Sequence, residues 1–425
     1  MKYHFLCPLL FVLLALAGKS LVMAEDPVVF DVRGETQVQI PAELPPHPRI
    51  FLTADEIQEL KAWVAREPWL REYVDRFLSS TRRQIGASRL PSSTFLGNEN
   101  LGIGQRANEF ALAYVLTNEE VFAKAAARIL LAYVPIYEEY PVSETKGKAM
   151  PSALVEALWA AEIASAYDLI YHSDALSVAD RQAIEQKVLK PCGEVIRICN
   201  HHTRSNWRAR AIAGTGIIGF CIDDRELINE ALNGFHDADG KLLRYGFVHH
   251  LARSILADGI FYERSFSYQL STTGSYTLLM EAARHNGIDL WNLKVSPHDL
   301  DAGADVEHAF GKSGNKSIKP MFDALFYQTF SDGTVSAVAN SSIDMFSSRR
   351  FYESAWRAFR DPKFALAARI PHNAKRPWAE VKSSNLARLK GPTSLMFLDP
   401  ELPQGSFNLA DEVTIGHTGR HANGC

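Results

Sequence analysis

From about position 50 to 380 the apolar residues recur every three to four positions, and the alternation of a half-buried strand is almost absent. That period predicts a chain of helices. The first follows Thr53, a candidate N-cap with Glu56 three residues on to complete a capping box. Its apolar face carries Leu60, Val64 and the pair Trp63 and Trp69. Further helices are expected over 105–116, 121–137, 152–171, 178–189, 206–221, 225–232, 242–256, 274–286, 318–330 and 348–359, with Gly, Asp, Asn or Pro at the joints. Short loops between helices of roughly ten to twenty residues predict stacked helical hairpins. No repeat of fixed period is visible, which favours a closed ring of helix pairs over an open solenoid. Such a ring has a central cleft lined by loops and helix ends, suited to a long polymer.

The two ends of the chain break the pattern. Met1 and Lys2 are followed by an apolar run over 5–17 and then Val22-Met23-Ala24, the make-up of a secretory signal peptide cleaved after Ala24. The run is too short to span a bilayer. Residues 25–48 read as extended. Near the other end, 393–398 and 412–416 read as short strands, too few for a sheet of their own. The chain therefore reads as stopping at the start of a β-domain.

Composition narrows the chemistry. A net charge of −4 on 425 residues gives no overall attraction to nucleic acid or anionic membrane, so any anion-binding surface must be local. Cys192, Cys199, Cys221 and Cys425 match neither a zinc site nor a disulfide scaffold. Cys192 and Cys199 are spaced for either a disulfide or ordinary helix packing. No cluster has metal-ligand spacing, and no organic cofactor is implied. Asn315 and Asn340 head formal glycosylation sequons.

Two stretches concentrate polar chemistry. Residues 199–210 gather Arg204, Arg208, Arg210, His201, His202 and Asn206 around Trp207, and no acid lies between Glu194 and Asp223. The small, apolar 211–220 follows, so the cations stand at the head of a buried helix. Unpaired charge is costly there, which points either to an anionic ligand or to pairing with acids elsewhere. In the second stretch the turn Asp258-Gly259 is followed by Glu263, Arg264, Ser265, Ser267 and Tyr268, with His249 and His250 just upstream.

Taken together, these segments resemble the heparinase II/III-like polysaccharide lyases and the alginate lyases that share their helical fold. His47 to Glu56 resembles the family's opening and Glu156 to Leu169 its core helix. Asn206-Trp207 is similar to the site's asparagine-tryptophan, and Asp258-Gly with Glu263, Ser265 and Tyr268 to its aspartate-glycine segment. Ser331-Asp-Gly333 resembles a later turn. Phe266 and Gln269 stand where relatives often carry proline and histidine.

The resemblance implies a mainly α fold: an incomplete (α/α) toroid of helical hairpins over 25–385, then the stump of a β-sandwich over 386–425. It implies a secreted or periplasmic enzyme that cleaves an acidic polysaccharide by β-elimination. Asn206 would neutralise the uronate carboxylate, and Tyr268 would carry the proton. His202, Arg208, Trp207, His250, Glu263 and Arg264 would contact substrate or supply the cationic field that a tyrosine base needs. Two other readings stand beside it. A glycoside hydrolase would need two facing carboxylates, for which Asp258 and Glu263 are the nearby pair. A non-catalytic glycan-binding relative would bind uronans without turnover.

Overall fold

The computed structural model describes residues 38–94, 97–199, 204–256, 258–295, 316–328, 341, 351–370 and 384–403. Its helices are α1 (Ala54–Arg66), α2 (Pro68–Gln84), α3 (Glu99–Thr117), α4 (Glu120–Tyr133), α5 (Ala153–Ile170) and α6 (Val178–Ile184), which a π turn (Glu185–Leu189) joins to α7 (Lys190–Arg197). Then come α8 (Asn206–Ile222), α9 (Arg225–Asn233), α10 (Phe247–Ser254), α11 (Phe266–His285), α12 (Lys319–Tyr327), α13 (Phe351–Phe359) and α14 (Pro362–Arg369). Two antiparallel pairs are the only strands among the described residues: β1 (Phe235–His236) with β2 (Leu242–Arg244), and β3 (Lys294–Val295) with β4 (Lys316–Ser317).

Four helices form a row. α3, α5, α8 and α11 pack side by side in chain order. On α3 and α5, Gly104 faces Trp159 and Asn108 donates to Glu162 at 2.7 Å. On α5 and α8, Ala157 lies against Gly214, and Cys221 donates to the Ala164 carbonyl at 3.5 Å. On α8 and α11, Arg210 meets Ser271 and Gly216 meets Leu279. Residue numbers rise together in each pair, so the four helices run parallel. Their close approach depends on small residues. A Cβ on Gly214 would sit 2.8 Å from that of Ala157, and one on Gly216 only 2.4 Å from Leu279. The intervening helices complete the hairpins, with α4 against α3 and α5, α7 against α5 and α8, and α9 against α8. α13 packs on α11, and the 3-10 turn Pro392–Phe397 touches both α13 and α3.

An N-terminal strap ties one end of the row. The buried Asp168 near the end of α5 accepts from His47 Nδ1 at 2.6 Å, from the Arg49 amide at 2.9 Å and from the Ile50 amide at 2.9 Å. The Arg49 guanidinium donates to the Cys221 carbonyl at the end of α8. From the end of α11, His285 donates to the Ile50 carbonyl at 2.8 Å and Asn286 to the Arg49 carbonyl at 2.9 Å. Glu156, at the other end of α5, is buried and accepts from Tyr137 and from the amides of Lys148, Ala149 and Met150. The opening segment and the core helix singled out in the sequence are thus two halves of one anchoring arrangement.

Several boundaries differ from expectation. The α1 capping box forms as read, but the apolar stripe through Trp63 and Trp69 crosses two helices. Pro68 lacks an amide proton and disfavours helical backbone at the preceding residue, so Glu67 is extended (φ −98°, ψ 111°) and α2 begins anew. The two indoles then meet edge to face at 6.0 Å. The helix expected over 178–189 continues to Arg197, that over 242–256 splits into β2 and α10, and α14 was not foreseen. The expected strand at 393–398 is a 3-10 turn, started by Pro392 after Gly391 at φ +146°. Cys192, Cys199 and Cys221 are buried free thiols, so the 192–199 disulfide does not form. Residues 1–24, the sequons at 315 and 340, the turn at 331–333, the strand at 412–416 and Cys425 lie outside the described residues.

Candidate functional site

The parallel row puts the N-termini of α8 and α11 at the end opposite the strap. Each start is capped by a serine. Ser205 Oγ accepts from the Arg208 amide, and Ser265 Oγ from the Tyr268 amide. Asn206 is the first residue of α8, and Tyr268 the third of α11. Glu263 joins the two ends. Its Oε2 accepts from both the backbone amide and Nδ2 of Asn206, at 2.9 and 3.0 Å. Asn206 is therefore held in one orientation, 5% exposed. Tyr268 and Trp207 are half-buried against the core. Arg264 is exposed, in the left-handed region at φ +53°. Two helix N-termini directed at one region bias it towards anions.

The turn before α11 is built from side chains. Asp258 Oδ1 accepts from the Ile260 amide. Gly259 has φ +85°, and a Cβ there would lie 1.9 Å from the Pro320 carbonyl oxygen. Gln269 is buried and clamps the loop. It accepts from the Phe261 amide at 2.8 Å and donates to the carbonyls of Gly259 and Met321 at 2.9 Å each. The residue that departs from the family pattern is thus a structural clamp.

Two expected substrate contacts are corrected. Arg208 is 1% exposed. It donates to the carbonyls of Tyr245, Arg197 and Cys199 and lies 3.6 Å from Glu230. A guanidinium so enclosed holds the wall behind the site and does not face a ligand. His250 is fully buried. Its Nε2 donates to the Ser205 carbonyl at 3.1 Å, so Nδ1 accepts from the Tyr276 hydroxyl. His250 therefore supports the α8 cap and supplies no positive field. Burial first, then nearby cations, pushes both His249 and His250 down to about 3. His202 lies outside the described residues.

The buried histidines make a pH prediction. Unfolded chain protonates them near pH 6.5, whereas the fold keeps them neutral. Their contribution is complete above that pH and drains as pH falls from 6.5 towards 3, by up to about 1.4 kcal/mol per unit for each. The melting temperature is expected to fall between pH 7 and pH 5, and to fall less in His250→Gln. Parallel profiles for the two proteins would contradict this.

Three cations near the site were not among the expected site residues. Lys316 is buried and donates to the Ile255 carbonyl; burial, then Arg204, lowers it to about 7 against the pull of Asp258. Arg204 itself lies over the Tyr262 ring at 4.6 Å. Arg210 is four residues beyond Asn206, and that helical spacing was the available signal. Among the described residues no His, Cys, Asp and Glu cluster suits a metal ion, and no helix is long and apolar enough to cross a membrane.

The family model described as alginate lyase matches residues 97–312. An alginate lyase of Stenotrophomonas maltophilia (strain K279a) is 26% identical over 250 residues, covering 56% of this chain and 33% of that protein. The chain thus spans about a third of the length of the curated relative it matches. Among solved structures, an alginate lyase from Bacteroides ovatus is 13% identical with a TM-score of 0.48, over 66% of this chain and 83% of the other. A histidine-to-alanine variant of alginate lyase A1-III complexed with a tetrasaccharide is 15% identical with a TM-score of 0.47, over 76% and 89%.

Proposed function

This chain belongs to the alginate lyase family, and on that premise we propose that it cleaves a uronate-containing acidic polysaccharide by β-elimination. In this reading the base takes the C5 proton, a C4–C5 double bond forms, and the C4–O bond breaks as the leaving oxygen gains a proton. The C5 proton is barely acidic beside a charged carboxylate, so hydrogen bonds that neutralise that carboxylate lower the barrier. Asn206 takes that role: Glu263 holds one Nδ2 proton, fixing the amide so that the other faces the substrate. Tyr268 carries the proton. It stands in the first turn of α11, where the helix N-terminus favours anions, and Arg264 lies four residues before it.

The observation that carries this reading is the pairing of Asn206 and Tyr268 at the heads of two parallel, packed helices whose starts Glu263 joins. The hydrolase reading is weaker, because Asp258 serves its turn and Glu263 serves Asn206. Closure of the helix row into a toroid, kinship to the heparinase II/III-like lyases, a leader at 1–24 and action in the periplasm or outside the cell belong to the same proposal.

The test is ultraviolet absorbance during incubation with alginate and other uronans. Unsaturated uronate ends are expected. New reducing ends without absorbance would favour hydrolysis, and no product from folded protein would overturn catalysis.

A further inference from the structure

We propose that the cavity beside Arg210 is a carboxylate-binding subsite, taking a uronate unit away from the bond that breaks; this rests on the uronan reading above. The cavity measures about 460 Å³, within the range of small-ligand clefts of about 300–1,000 Å³. Arg210 lies on the same face of α8 as Asn206, one turn deeper. Ser267, Ser271 and Ser275 line the facing side at helical spacing, beginning one residue before Tyr268. Lys390, Thr393 and Ser394 line the third side. The cavity is thus set one helical turn from the proposed catalytic pair.

The charge inventory singles out Arg210. Six of the other enclosed arginines have acids, and Arg49, Arg181 and Arg369 donate to backbone carbonyls. Arg208, Arg197 and Arg244 share Glu230, Arg284 and Arg357 share Glu281, and Arg388 grips Glu353. Arg210 has no acidic partner among the described residues. Among the described residues its hydrogen bond runs from Nε to Ser271 Oγ at 2.9 Å. Burial lowers its pKa, with no charge opposing the shift. A largely buried, uncompensated guanidinium is costly. The bond through Nε leaves its two terminal nitrogens as a planar fork, which matches a carboxylate with two parallel hydrogen bonds. The serine stripe offers hydroxyls to a sugar ring.

The test is calorimetric binding of a mannuronate tetrasaccharide and its carboxyl-reduced counterpart to the full chain carrying Tyr268→Phe, alone and with Arg210→Gln or Arg210→Lys. Loss of one charge-assisted contact is expected to weaken uronate binding at least about tenfold in Arg210→Gln. Arg210→Lys should recover part of it, and the reduced sugar should bind all three weakly and alike. Arg210→Gln should melt no earlier than its parent, since it removes a buried, uncompensated charge. Equal affinity across the variants, or an equal loss with the reduced sugar, overturns the subsite. Arg210-dependent binding by a protein that forms no unsaturated product upholds the subsite and sinks the elimination reading. Turnover with the same KM in wild type and Arg210→Gln does the reverse.

Discussion

Tyr268→Phe is expected to lower kcat on uronan by about 10³-fold or more, the scale of a lost general acid–base group. KM should change little, because the ring that packs on the core is retained. Asn206→Ala should fall comparably by a different route, since it removes a contact that strengthens as the carboxylate becomes enolate-like. Glu263→Gln should fall less than Asn206→Ala, because its oxygen still accepts from the two nitrogens it orients. Tyr171→Phe, at the strap end where Tyr171 stacks on His47, should leave turnover unchanged. Full activity in Tyr268→Phe would remove Tyr268 from the chemistry and with it the proton route given above.

The largest loss of stability is expected at Asp168. Asp168→Ala would leave the His47 ring and the amides of Arg49 and Ile50 without the carboxylate they share in a buried site. Unmaking such a cluster costs about 3–5 kcal/mol. The urea midpoint should drop accordingly, and protease should cut near residues 45–52 well before the row of helices is lost. Asp168→Asn keeps the shape and one acceptor oxygen, and should recover part of the loss. A midpoint unchanged in Asp168→Ala would mean that the strap holds without this anchor.

What the sequence made legible followed physical period. The starts at Thr53 and Asn206 were readable because a cap and a small, apolar or periodic run coincide there. The start of α11 was placed at Gly274 and lies at Phe266. The intervening SFSYQLSTT reads as a polar loop, yet threonine hydroxyls here and one turn on bond back to helix carbonyls. Thr273 donates to the Gln269 carbonyl at 2.8 Å, and Thr277 to that of Thr273 at 2.9 Å. In the site, Asn206, Glu263 and Tyr268 come to one end of the fold. Arg208 and His250 were misread because charge and residue type do not reveal which side of a helix is enclosed. Arg208 is two positions from both Asn206 and Arg210, and so points away from the face those two share.

The strap also sets an order of assembly. Its residues leave the ribosome before the described helices, but the donors for the Ile50 and Arg49 carbonyls sit at His285 and Asn286, more than two hundred residues later. The four-helix row can add members one at a time, each new hairpin meeting the last. The strap can dock on Asp168 of α5 early, but its bonds are complete only when the fourth arrives. A segment that precedes the described helices is therefore the last to be fully fastened, and a chain stopped short of α11 would hold it by Asp168 and Cys221 alone, more open to proteases that clear unfinished protein.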